Sequence, residues 1–138
     1  MVLGGGCYCG QVRYETGARP FHETVCHCLD CRRVVGSASV AWFSVPRASF
    51  RFTSGMPTSF RSSPQVTRRF CGACGTSLTF EHDALQDEID ITTASLDDPD
   101  AAPPKDHVHT ATKPLWAVLH DGLPSYPGPR FKDESGSG

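Results

Sequence analysis

The sequence has no long hydrophobic run: in its 138 residues there is no window of some eighteen consecutive apolar residues, so no membrane-spanning helix is expected. No leader is expected either. Met1-Val2-Leu3-Gly4-Gly5-Gly6 offers neither a basic segment nor a long apolar one, and no signal peptide is read there. Nor is there an excess of charge of one sign. Thirteen Lys and Arg against fifteen Asp and Glu leave a net charge of −2. That balance argues against a nucleic-acid binder with a basic stripe, and against disorder, which pairs high net charge with low hydrophobicity. The apolar share is modest at 38%, but thirteen glycines bring the total close to the globular norm, which counts Gly. A chain of this length makes one domain. The expectation is a soluble, cytoplasmic single domain over residues 1–130, with residues 131–138 as a flexible tail and neither nucleic acid nor a membrane as partner.

What the sequence does hold is sulfur. Seven cysteines are an odd number, so disulfides within one chain cannot pair them all. In a reducing compartment, clustered cysteines read as metal ligands or catalytic thiols. Here they bunch into three groups: Cys7-Tyr8-Cys9, Cys26-His27-Cys28-Leu29-Asp30-Cys31 and Cys71-Gly72-Ala73-Cys74-Gly75. Scattered structural cysteines would not fall this way, and metal is the preferred reading.

The remainder reads as β. Gln11-Val12-Arg13-Tyr14-Glu15 and Glu88-Ile89-Asp90-Ile91-Thr92 alternate, as strands with one buried face do. Residues 39–45 are more uniformly apolar and suggest a strand covered on both sides. Residues 49–52 and 77–80 are shorter alternating runs, and Ala18-Arg19-Pro20, Ser54-Gly55-Met56-Pro57 and Ser62-Ser63-Pro64 mark turns. One helical turn or two is expected around Asp30 to Val35. Leu96 to Pro104, rich in Asp and Pro, reads as a loop. Many short strands with frequent turns make an all-β domain with short helical turns only. With eleven prolines and so small a core, bound zinc would supply stability that packing does not, on the order of 10 kcal/mol.

Spacing sorts the sulfurs. Residues i and i+2 of a strand face one side, so Cys7 and Cys9 can share an ion, as can Cys26 and Cys28. Cys71-x-x-Cys74-Gly75 is a tight turn of the zinc-knuckle kind. Zinc takes four ligands in a closed structural site and three in a catalytic site with an open position. Seven cysteines therefore divide as four plus three: Cys7, Cys9, Cys71 and Cys74 in one site, and Cys26, Cys28 and Cys31 in the other. An alternative has His27 complete the trio, making both sites structural, but His27 lies between two ligands on the same side and should face elsewhere. Three thiolates leave a zinc ion with net charge −1, which disfavours water activation. They suit a site that holds and exchanges the sulfur of a small thiol substrate.

At these motifs the chain resembles the glutathione-dependent formaldehyde-activating enzyme family, which includes the centromere protein V-like domains. The resemblance begins at Gly6-Cys7-Tyr8-Cys9-Gly10-Gln11-Val12-Arg13-Tyr14 and continues through Cys26-His27-Cys28-Leu29-Asp30-Cys31-Arg32 and Arg69-Phe70-Cys71-Gly72-Ala73-Cys74-Gly75-Thr76. Ser95-Leu96-Asp97-Asp98-Pro99, His107-Val108, Trp116 and Asp121 to Tyr126 extend it. The resemblance implies a small zinc-stabilised β domain of the Mss4-like type. It implies structural zinc on Cys7, Cys9, Cys71 and Cys74, and a second, catalytic and more labile zinc on Cys26, Cys28 and Cys31. The implied activity is addition of glutathione to formaldehyde, formally a carbon–sulfur lyase reaction run backwards.

Other residues read more plainly. Arg32, Arg33, Arg68 and Arg69 could each hold a substrate carboxylate, but solvated placement is preferred. His27 is expected to be packed or at the surface, and His107 and His109 at the surface. Two further classes stand beside the enzyme: a zinc-scaffolded protein-binding module, and a reductase like the zinc-bearing methionine sulfoxide reductases. The reductase needs a free thiol outside the structural site, which only the trio could supply.

Overall fold

A computed structural model describes residues 2–130, and the expected tail over residues 131–138 lies outside the described residues. The described chain runs through β1 (Leu3–Gly6), β2 (Arg13–Thr16), β3 (Phe21–Cys26), α1 (Leu29–Val35), β4 (Val40–Pro46) and β5 (Phe50–Ser54). It continues through β6 (Thr58–Ser63), β7 (Val66–Phe70), β8 (Ser77–His82), β9 (Glu88–Thr92) and β10 (His107–Val108), with short 3-10 turns between strands. Three strands form one sheet in the order β1-β2-β5; seven form a second in the order β10-β3-β4-β9-β8-β7-β6. Neighbours pair antiparallel except β10 and β3, which run parallel. The expected all-β class, with helix confined to short pieces, is what the chain adopts.

β4 and its neighbours explain why two separate interiors form. Side chains alternate across a strand, and β4 is apolar on both faces. Phe43 and Val45 enter a main core with Val12, Tyr14, Leu78, Ile89 and Ile91. Val40 and Trp42 enter a second cluster with Cys26, Cys31 and Val108. Full burial of a Val or Phe side chain stabilises by about 1.5–3 kcal/mol, so the main core accounts for most of the packing. It also encloses Cys7 and Cys71, whereas the trio belongs to the second cluster.

Helix α1 starts where the sequence places it. Cys28 is its N-cap, with φ −70° and ψ 157°, and the Cys28 Sγ accepts the Cys31 N–H at 3.3 Å. The helix ends at Gly36, whose N–H bonds the Arg32 carbonyl at 2.8 Å. The loop from Leu96 to Pro104 contains a single 3-10 turn, Pro99–Ala101, initiated by Asp98.

Three local features depart from expectation. Cys7 and Cys9 lie on a turn after β1 and not within a strand: Gly10 N–H bonds the Cys7 carbonyl at 3.2 Å. The hairpin β6–β7 is an added pair of strands. His107 is buried in β10 and not at the surface.

Candidate functional site

The first sulfur group is assembled from two turns in different parts of the chain. In the turn after β1, Cys7 N–H bonds the Val12 carbonyl at 3.0 Å and Val12 N–H points back at Cys7 Sγ at 3.3 Å. In the knuckle after β7, Gly75 N–H bonds the Cys71 carbonyl at 2.7 Å, with Gly75 at φ +85°. That left-handed position favours glycine. The two turns are stitched together by Tyr8 N–H to Thr76 Oγ1 at 3.0 Å.

The resulting sulfurs of Cys7, Cys9, Cys71 and Cys74 all lie within 4.8 Å of one another. Cys7 and Cys9 Sγ are 3.6 Å apart, and Cys9 and Cys71 Sγ 3.7 Å. A tetrahedron with zinc–sulfur bonds of about 2.3 Å has edges of about 3.8 Å, so the quartet fits one zinc ion. Burial raises the Cys7 thiol, but the Val12 N–H and the Cys9 and Cys71 thiols outweigh it, and the net shift is down. Cys74 is held down at about 5 by the Thr76 hydroxyl and amide and by the Cys9 amide. Neighbours that stabilise thiolate favour metal binding, since thiolate is the ligand.

The second group is held by the end of β3 and the start of α1. Cys26 closes β3, Cys28 caps the helix, and Cys31 sits in its first turn. Their three sulfurs also lie within 4.8 Å of one another. No fourth His, Cys, Asp or Glu joins them among the described residues. Without an ion, the trio shares protons unevenly. Hydrogen bonds from Cys26 and Cys31 pull the Cys28 thiol down to about 2, and the same partnership with Cys28 and Cys31 drives Cys26 far up. All seven cysteines are free thiols.

His27, expected to face away from its flanking sulfurs, does so. It is 1% exposed, and its Nε2 lies 2.9 Å from His107 Nδ1, while His107 Nε2 lies 2.7 Å from Asp121 Oδ2. The Leu123 amide and His107 together hold Asp121 below the usual carboxylate range, so it stays ionised. An ionised carboxylate only accepts. His107 therefore donates from Nε2 and accepts at Nδ1, His27 donates from Nε2, and His27 Nδ1 carries a lone pair. That nitrogen is buried with no partner. Burial first, and then the neighbouring His107, hold His27 below its ordinary value, so its ring is neutral.

The arginines separate. Arg69 pairs with Glu81, which also accepts from Arg47 Nε at 3.0 Å. Arg32 and Arg33 lie in the last turn of α1. Arg68 is not solvated; it is 4% exposed, with its guanidinium 4.9 Å from the Phe80 ring centre. Sequence reading placed Arg68 and His107 in solvent, where the structure buries both, and gave Asp121 no role. His107 and Asp121 reach His27 only through the parallel β10–β3 pairing, a contact across 80 residues, and no local pattern announces it.

The chain is similar to known proteins in sequence and in fold. A protein of Halomonas elongata named for glutathione-dependent formaldehyde activation is 27% identical over 129 residues, covering 86% of this chain and 82% of that protein. A crystal structure of a Rhodobacter sphaeroides protein superposes with a TM-score of 0.55 at 20% identity, covering 89% of this chain and 98% of that one. At that identity the likeness is one of fold. The model of the glutathione-dependent formaldehyde-activating enzyme family matches residues 2–112, a span that includes all seven cysteines. This chain belongs to the glutathione-dependent formaldehyde-activating enzyme family.

Proposed function

We propose that the chain is a zinc-dependent enzyme that adds a small thiol such as glutathione to formaldehyde. In this reading Cys7, Cys9, Cys71 and Cys74 hold a structural zinc, and Cys26, Cys28 and Cys31 hold a second, more labile one. The observation that carries the reading is the trio: three sulfurs within reach of one ion, with no fourth His, Cys, Asp or Glu beside them among the described residues. Zinc bound there would supply Lewis acidity that keeps a substrate thiol deprotonated yet nucleophilic near neutral pH.

The chemistry balances without an oxidant or reductant. The substrate S–H bond breaks, an S–C bond forms, and the carbonyl π pair moves to oxygen, which takes up the proton. Read in reverse, this is a carbon–sulfur lyase step. The chain's own contribution is to hold the three sulfurs in place. The α1 cap fixes Cys28 against Cys31. The hydrogen bonds from His27 through His107 to Asp121 anchor the segment between Cys26 and Cys28. Cysteines clustered as metal ligands suit a reducing compartment, and we place the protein in the cytoplasm.

A second reading, a zinc-scaffolded protein-binding module, draws on the apolar segment of Leu115 (95% exposed), Trp116 and Val118. Formation of the hydroxymethyl adduct from formaldehyde and glutathione, followed by NMR, decides between them. Zinc-loaded protein is expected to exceed the uncatalysed rate, and a variant with Cys26, Cys28 and Cys31 all changed to Ser is not. An uncatalysed rate from protein carrying two zinc ions would remove the proposed activity and favour the module.

A further inference from the structure

Beside the trio lies a cleft of about 340 Å³. Its lining includes Val34, Trp42, Arg68 and Thr79. Val34 is on α1, one turn beyond Cys31, and Trp42 packs in the same apolar cluster as Cys26 and Cys31. Phe80, under the Arg68 guanidinium, packs against that cluster as well. The cleft and the three sulfurs thus share a wall.

Two polar atoms on residues of this lining, both beside the Phe80 ring, have no hydrogen-bond partner: Arg68 Nη1 and Trp42 Nε1. Both residues are more than nine-tenths buried. Arg68 makes one side-chain hydrogen bond, from Nε to Ser62 Oγ at 3.1 Å, and no carboxylate among the described residues pairs with it. Its neighbour Arg69 takes Glu81 instead. Apart from the Phe80 ring face, this buried cation has no compensating charge, and an unpaired buried polar group calls for a partner.

The donor set says what is missing. Guanidinium and indole N–H groups donate and cannot accept. A ligand facing two obligate donors must itself be an acceptor, and a planar carboxylate matches the guanidinium fork. We infer that Arg68, with Trp42, forms a subsite for a carboxylate of the substrate thiol, set beside the three-sulfur site. This rests on the reading above that the substrate is a small thiol. It makes Arg68 the residue that selects acidic thiols over neutral ones.

Calorimetric titration of the zinc-loaded chain with S-methylglutathione and with its diethyl ester tests the inference. The blocked sulfur keeps the metal from dominating binding, and the ester removes both carboxylates. The acid is expected to bind about tenfold or more tightly than the ester. Arg68→Gln should abolish that preference with zinc content unchanged, and Arg68→Lys, which keeps charge but loses the fork, should retain only part of it. Equal binding of acid and ester by the native chain, binding of neither, or a preference surviving in Arg68→Gln would overturn the subsite. If Arg68→Gln does not fold, the native acid-to-ester ratio and Arg68→Lys carry the test. Failure of adduct formation with the preference intact would refute the enzyme and leave the subsite. Adduct formation without the preference would do the reverse.

Discussion

Cys71 and Cys28 are both proposed zinc ligands, yet their surroundings give them different consequences. Cys71 is packed inside the main core, in a turn that must join a second turn 62 residues away in sequence. Cys28 sits half-buried at the head of a seven-residue helix. With zinc on the quartet as proposed, removing one sulfur would withdraw an ion whose contribution is on the order of 10 kcal/mol, comparable to the whole stability of a domain. Cys71→Ser is therefore expected to leave no cooperative thermal transition. Cys28→Ser should keep the native circular dichroism and transition, lose one zinc per chain, and lose catalysis. A Cys71→Ser protein that melts like the parent would contradict the structural assignment of the quartet.

At the scale of elements, β10 is two residues long, but it carries the contact that fixes the inner face of the trio's strand. His107→Ala would strip the donor from Asp121 and the acceptor from His27 Nε2, leaving a buried polar group unpaired at about 2 kcal/mol. Urea unfolding measures this as a lowered midpoint with unchanged slope. The turn before β6 makes a sharper demand. Gly55 has φ +73°, and an added Cβ would fall 2.1 Å from the Gln11 carbonyl oxygen. Gly55→Ala should cost more than the usual ~1 kcal/mol for a left-handed position, read in the same unfolding experiment.

These elements also show where the sequence was readable. Helix α1 and strands β4 and β9 were legible because burial writes itself as apolar pattern, on both faces of β4 and on alternate residues of β9. The four-and-three division of sulfurs was legible because ligand spacing is local. The hairpin β6–β7 was not: all six residues of β6 are exposed, so no alternation marks it. The Cys7–Cys9 turn was misread as a strand because an i, i+2 spacing serves both geometries. Arg68 and His107 were misplaced because their burial comes from pairings with distant strands, which no residue near them encodes.

For the molecule as a whole, pH and metal are the two levers. Burial pushes the Asp90 carboxyl up to about 7, against a hydrogen bond from Ser44 Oγ at 2.6 Å that favours the ionised form. Between its ordinary value near 4 and about 7 the folded chain holds a proton that the unfolded chain has lost, so this group lowers stability as pH rises through that window. Asp90→Asn should flatten the slope and stabilise the protein above pH 7 by up to about 4 kcal/mol, seen as a difference in melting temperature from the parent at pH 8 and its absence at pH 4.

Two sulfur sites of unequal closure predict two ions of unequal hold. In the proposed reading the quartet would saturate its ion with protein ligands, while the trio would leave a position to which a chelator has access. The most direct measurement is zinc per chain, followed by circular dichroism, as a mild chelator is titrated in. Two zinc ions at the start, with the first lost while the β-sheet signal stays intact and the second lost only with unfolding, is the predicted result. One zinc per chain with three titratable thiols, or a single step that releases both ions as the fold collapses, would contradict it.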